Sequence, residues 1–141
     1  MFDLKKNLDA GLLLVRLGVG GSMIVHGLPK LLNQEKWAQL GSQMQLIGID
    51  FLPEFFGFMA GFAEAVGGLF FLIGFLTRTS SAMLAFTMLI AMLSHIARGD
   101  GFGPSSHAME LGFVFLGFIL TGPGQYSVDA YWCRRSQSCK I

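Results

Sequence analysis

The sequence predicts an all-α protein: an integral membrane four-helix transmembrane bundle with an amphipathic interfacial segment between helices 1 and 2. Composition is the first reason, since 52% of the 141 residues are hydrophobic and only 13% are charged, against about 25% charged in an ordinary soluble domain. Mean hydropathy is positive, at +0.57. Spacing is the second. Four apolar runs fill the chain, and at roughly 20 residues per helical crossing the length accommodates four crossings and little else. The third is the placement of charge: basic residues flank the runs, and the few ionisable residues inside them occur singly.

The first run, about residues 8–32, opens after Asn7 or Asp9 as a helix cap and closes near Pro29 and Asn33. Lys5 and Lys6 ahead of an apolar stretch also raise a secretory signal, but this stretch holds Arg16 and ends in His26-Gly27-Leu28-Pro29-Lys30 without a small-residue cleavage site. It reads as a retained span. The following stretch, 34–52, is too polar to cross a membrane, yet Trp37, Leu40, Met44 and Ile47 recur at spacings of three and four. That stripe predicts a helix lying on the membrane surface or capping the bundle.

The second run follows Pro53, over about 55–76, and Glu64 is its only charge beyond the first turn. Thr77-Arg78-Thr79 joins it to a third run, about 80–96, with His95 at its far end. So short a connection implies an antiparallel hairpin. Residues 99–106, GDGFGPSS, read as a flexible loop able to act as a lid. The fourth run, about 106–120, is short and contains Glu110, so its start belongs in wet or protein-covered surroundings rather than in lipid. It stops at Thr121-Gly122-Pro123-Gly124 and leaves a tail, 125–141, the whole chain forming one domain.

Lys5, Lys6, Arg78, Arg134, Arg135 and Lys140 all fall on one side of such a topology, which predicts cytoplasmic termini. Cys133 and Cys139 then lie in a reducing compartment and are expected as free thiols; their spacing matches neither a CxxC redox pair nor a zinc site. With a net charge of +1 and no sustained basic stripe, nucleic acid is excluded as a partner.

An ionisable side chain in hydrocarbon costs on the order of 2.5 to 3.5 kcal/mol, so it persists only with a partner or in a wet cavity. Each of the four runs carries at least one. Depth along the helices places Glu64 centrally, Arg16 toward the cytoplasmic half, and His26, Lys30, His95, His107 and Glu110 toward the opposite half, around one outward-facing cavity. His26 and Lys30 share a helical face, and Arg16 falls within roughly 40° of it. Glu64 and Glu110 are the natural counter-charges, and an Arg16 pair with one of them is expected. His26 and His95, each offering a donor and an acceptor, suit a quinone carbonyl, a proton relay or a metal. A metal or a haem is disfavoured because no HxxxH, ExxH or CxxC spacing lies within one element. The Gly57-x-x-x-Gly61 motif, Gly67 and Gly68, and Gly18, Gly20 and Gly21 suit close helix packing. Fourteen Phe and eight Met supply packing and lipid-facing bulk.

RLGVGGSMIVHGLPKLL (16–32), GFMAGFAEAVGGLFFLIGFLTR (57–78) and MELGFVFLGFILTGPGQYSVD (109–129) together resemble the DoxX family, in order and over nearly the whole chain. The residues that carry the resemblance are Arg16, the HGxxK of His26 to Lys30, Glu64 with Gly67 and Gly68, Arg78, His95, Glu110, and the terminal GPG-Y-S-x-D ending at Asp129. It implies a multi-pass protein of the bacterial inner membrane, with relatives tied to quinone-coupled thiosulfate oxidation, quinone and thiol stress and membrane redox complexes.

Joined to the residues, that resemblance suggests a redox component binding a quinone or small aromatic, with His26, Lys30 and His95 at the ligand and Glu64, Glu110 and Arg16 handling protons and charge. No redox-cofactor motif is encoded, so electrons would come from a soluble redox enzyme or a thiol or thiosulfate species. Two other readings stay open: a small-solute transporter, which would need a homodimer, and a membrane scaffold for soluble redox enzymes.

Overall fold

Leu4–Leu32 forms one unbroken helix, α1, in the computed structural model, which describes residues 4–136. Pro29 lies inside it. The proline ring removes one backbone bond, but so close to the C-terminus little helix remains to disrupt. The chain then folds into a short cap: a 3₁₀ turn Gln34–Lys36, α2 (Trp37–Gly41) and a second 3₁₀ stretch Ser42–Ile47. Met44 is buried and Trp37 and Leu40 are half-buried, whereas Ile47, the fourth member of the stripe, is exposed at the end of the element.

The second apolar run is one helix by length but not by hydrogen-bond pattern. It comprises α3 (Pro53–Phe62), a π-helical turn Ala63–Gly67 and α4 (Gly68–Ile73). Next come α5 (Thr77–Arg98), α6 (Phe102–Thr121) and α7 (Val128–Ser136). No strand occurs among the described residues. The expected lid is therefore reduced to Gly99–Gly101, because Phe102 to Ser105 already belong to α6; Pro104 fits there since a first turn has no use for its missing N–H. Part of the expected tail is helical too, as α7.

Three helical stretches are long and apolar enough to cross a membrane: Leu4–Leu32, Pro53–Ile73 and Thr77–Arg98. α6 has 20 residues and carries Ser105, Ser106, His107 and Glu110 in its first half.

α1 and the α3–α4 stretch pack antiparallel at close range, and glycines set the register. A Cβ at Gly20 would stand 2.8 Å from the Leu72 Cβ, and one at Gly68 would stand 2.8 Å from the Met23 Cβ. Further along, Gly61 lies against the Leu31 backbone and Gly27 against the backbone of Glu64 and Ala65. The cap is seated in the same way: Gly41 faces the Pro53 carbonyl and Gly57 the Trp37 carbonyl, neither with room for a side chain. α5 and α6 close the other side around Met23, Phe71, Leu84, Met88, Ala108, Phe115 and Phe118. Phe71 sits at its centre, edge-on to Phe115 and Phe118 with ring centroids 5.1 and 4.7 Å away.

This register generates a contrast between two glycines of one helix. Gly27→Ala should cost about 1–3 kcal/mol by forcing α1 off its neighbour, read as a lower unfolding midpoint in detergent. Gly18→Ala, with nothing within 4 Å, should leave the midpoint unchanged or raise it slightly.

Candidate functional site

The glycine register brings Lys30 of α1 onto Glu64. The ammonium Nζ lies 2.7 Å from both carboxylate oxygens, and Glu64 is only 2% exposed. Glu64 is the second residue of the π-helical turn, a feature that recurs at functional sites because it re-aims a side chain without ending the helix. Lys30 is held from behind as well: the Trp37 indole donates to its carbonyl at 3.0 Å, satisfying one of the acceptors that a helix C-terminus leaves open.

The ion pair forms one wall of a cavity of about 300 Å³. Phe55, Phe56, Met59, Met83, Phe86 and Ile90 make its sides, Leu40 and Met44 of the cap reach over it, and Gln43 and Thr87 add polar groups. Sequence reasoning did not single out Gln43 or Thr87; each lies in a run of ordinary loop or helix composition, with no local signal of what it would face.

Arg16 belongs to the opposite end of the molecule. α1 rises about 1.5 Å per residue, so Arg16 lies roughly 21 Å along the helix from Lys30, beyond reach of Glu64. The expected Arg16–Glu64 or Arg16–Glu110 pair is not formed. Fully buried, Arg16 instead donates through Nη2 to the Tyr126 carbonyl and lies against Gly74, while Nε and Nη1 have no partner among the described residues.

A network of polar contacts surrounds it. Asp9 accepts the Gln125 N–H at 2.9 Å. Asp129 accepts the backbone N–H of Leu76 and of Thr77 and the Thr77 hydroxyl, at 2.8 to 2.9 Å, and its own N–H donates to the Gly74 carbonyl at 2.9 Å. The turn so gripped is unusual: Gly74 and Leu76 both have positive φ, +72° and +46°. A non-glycine residue there costs about 1–3 kcal/mol and persists only when its surroundings impose it.

The other ionisable residues do not join either centre. His26 is exposed on α1, and His107 and Glu110 are exposed on α6. His95, at the end of α5, has Nδ1 2.7 Å from Asp100 Oδ2, and Arg98 Nε donates to the same oxygen at 3.0 Å. Those contacts, His95 first, hold the Asp100 carboxyl below the usual carboxylate range. His95 lines a separate cavity of about 440 Å³ with Phe102, Ser105, Ser106 and Met109. The structure thus brings Lys30 and Glu64 together and leaves His26 and His95 apart.

Cys133 departs from expectation: it is disulfide-bonded rather than free. The expectation rested on the redox state of a compartment, which says nothing of how close two sulfurs come. Cys139 and Lys140 lie outside the described residues.

The DoxX family model matches residues 11–96, from α1 to the His95 turn. The chain belongs to the DoxX family. A relative named "Inner membrane protein YqjF", from Escherichia coli (strain K12), is 34% identical over 131 residues, covering 89% of this chain and 95% of the relative. "Putative oxidoreductase CatD" from Bacillus subtilis (strain 168) is 25% identical over 128 residues, covering 91% of each. No solved structure matches this DoxX chain. Lys30 and Glu64 both fall within the DoxX match, whereas Asp129 lies beyond it.

Two substitutions separate the two centres. Lys30→Met leaves Glu64 buried without a counter-charge and should cost about 3 kcal/mol, and the double change Lys30→Met, Glu64→Leu should recover most of it; thermal unfolding in detergent reads both. Asp129→Ala removes three accepted hydrogen bonds from a strained turn and should cost about 3 kcal/mol by the same measurement.

Proposed function

We propose that this DoxX protein is a redox component of the bacterial inner membrane that takes a quinone or similar small aromatic headgroup into the cavity beside Lys30 and Glu64. The observation that carries the reading is an ion pair between a buried carboxylate and a half-buried ammonium in the wall of an otherwise apolar cavity. A volume of about 300 Å³ is at the lower end of small-molecule sites and suits a single ring. Apolar walls with one half-buried cation offer a hydrogen-bond donor to a ring bearing two carbonyls.

A bound quinone supplies the acceptor for two electrons and two protons. Lys30 Nζ donates a hydrogen bond to a carbonyl oxygen and orients the ring, while Glu64, relieved of one contact, holds or passes a proton at its carboxylate. The phenylalanines stack on the ring and keep water out. Gln43 offers a second polar contact from the cap. With no redox-cofactor motif in the chain, the electrons come from a soluble redox enzyme or a small thiol-type donor. The name of the Bacillus subtilis relative supports an oxidoreductase role, and that of the Escherichia coli relative an inner-membrane location.

In this reading four helices cross the bilayer, α6 included, with both termini cytoplasmic. The Asp9–Gln125 and Asp129–Thr77 contacts gather the starts of α1 and α5 and the segment after α6 at one end. Lys5, Lys6, Arg78, Arg134 and Arg135 cluster there, as the positive-inside rule asks. Tyr126, Tyr131 and Trp132, all more than half exposed, suit the headgroup layer. The cap from Gln34 to Ile47 then lies at the outer membrane surface.

Mass spectrometry of the detergent-purified protein should find co-purified quinone near one per chain. Titration with a short-chain quinone should show binding that Lys30→Met weakens at least about tenfold, the loss of one charge-assisted hydrogen bond. A protein that carries no quinone and binds none when it is added would overturn the reading.

A further inference from the structure

Three ionisable side chains remain on the outer surface toward this end of the bundle: His26 on α1, and His107 and Glu110, one turn apart, on α6. His26 and Glu110 are both exposed, and neither has a hydrogen bond or ion pair among the described residues. The four-crossing reading places Glu110 in hydrocarbon, where an uncovered carboxylate costs on the order of 2.5 to 3.5 kcal/mol. Something must cover it.

Their positions are matched in depth. α1 ends and α6 begins at the same end of the molecule, because the opposite end holds the start of α1 beside the segment that follows α6. His26 is six residues before Leu32 and Glu110 eight after Phe102, which puts them about 9 and 12 Å along their helices from that end. They are matched in azimuth too. Val19 and Val114 both pack on the shared core; His26 stands two turns beyond Val19, and Glu110 one turn before Val114, each on the same helical stripe. Both therefore lie beside that shared core on their own helices, on the outward, exposed side.

We infer that this exposed surface is the contact between two copies of the chain, with His26 of each copy set against Glu110 of the other. The chemistry favours a second copy over any other cover. An imidazole can donate to a carboxylate, or pair with it when protonated. A two-fold axis along the membrane normal brings residues of equal depth together and repeats each contact, so one His26–Glu110 pair necessarily yields two. Both carboxylates are then covered with no further component. The interface leaves the Lys30–Glu64 cavity untouched. The inference rests on α6 crossing the membrane and not on what the cavity binds.

Native mass spectrometry of the full chain released from lipid nanodiscs tests it, with His26→Glu, Glu110→His and the double exchange as variants. The unaltered protein should be dimeric. His26→Glu sets carboxylate against carboxylate and should weaken the dimer by about tenfold or more, and the double exchange should restore it. A monomeric unaltered protein, or a dimer indifferent to His26→Glu, would overturn the pairing; the first result would assign Glu110 to lipid headgroups or to His107 one turn away on α6. Unfolding midpoints near that of the unaltered protein identify variants that still fold, and Gly103→Cys and Thr121→Cys labelled from each side of the membrane test the crossing of α6 separately. Labelling of both cysteines from one side would remove the topology; labelling from opposite sides with no dimer would remove the pairing alone.

Discussion

Burial of the Glu64 carboxylate is the constraint on which the rest of the architecture depends. At 2% exposure its two oxygens are both met by Lys30, and that contact requires α1 and the α3–α4 helix to be nearly touching. Gly27 and Gly61 supply the approach, one on each helix, within a turn of the pair. A side chain at either position would push the backbones apart and separate the charges. The π-helical turn then rotates Glu64 inward without breaking the span. Packing, register and electrostatics are one problem here, solved at one place.

The far end of the molecule is organised by a different economy of charge. Asp129 and Asp9 accept backbone N–H groups beside Arg16, and Arg16 donates to a backbone carbonyl. The segment after α6 is thereby tied to the starts of α1 and α5, and the strained turn from Gly74 to Leu76 is kept in place. This end is a latch in which charge is spent on backbone groups. The Lys30–Glu64 end is open, with a charged pair facing a cavity.

Much of this was legible in the residues. The apolar runs appear as helices, three of them longer than their hydropathy suggests because polar residues extend them, as where α1 starts at Leu4 and α5 continues to Arg98, while the second ends at Ile73 rather than at 76. Glu64 stands out as a lone charge in an apolar run, and the DoxX resemblance singles out Lys30, Arg16 and Asp129. Their partners were not legible. Arg16 and Lys30 lie within roughly 40° of each other around α1, so angle alone does not tell which of them faces Glu64; the longitudinal register does, and that depends on which glycines meet. Nor did composition mark the π-helical turn, whose residues are unremarkable helix formers and glycines.

The sequence by itself determined the class of the protein, the order and rough extent of its helices, the clustering of basic residues at alternate boundaries and the set of ionisable residues that apolar surroundings must accommodate. All of these depend on composition and on periodicity within one segment. Tertiary structure alone decided which of those residues meet: Lys30 with Glu64 rather than Arg16, Asp129 with the Leu76–Thr77 backbone, and His26 and Glu110 with no partner among the described residues. The reason is physical. A pairing between helices is set by their relative translation and rotation to within a few ångströms, and those are fixed by close backbone contacts between residues far apart in the chain.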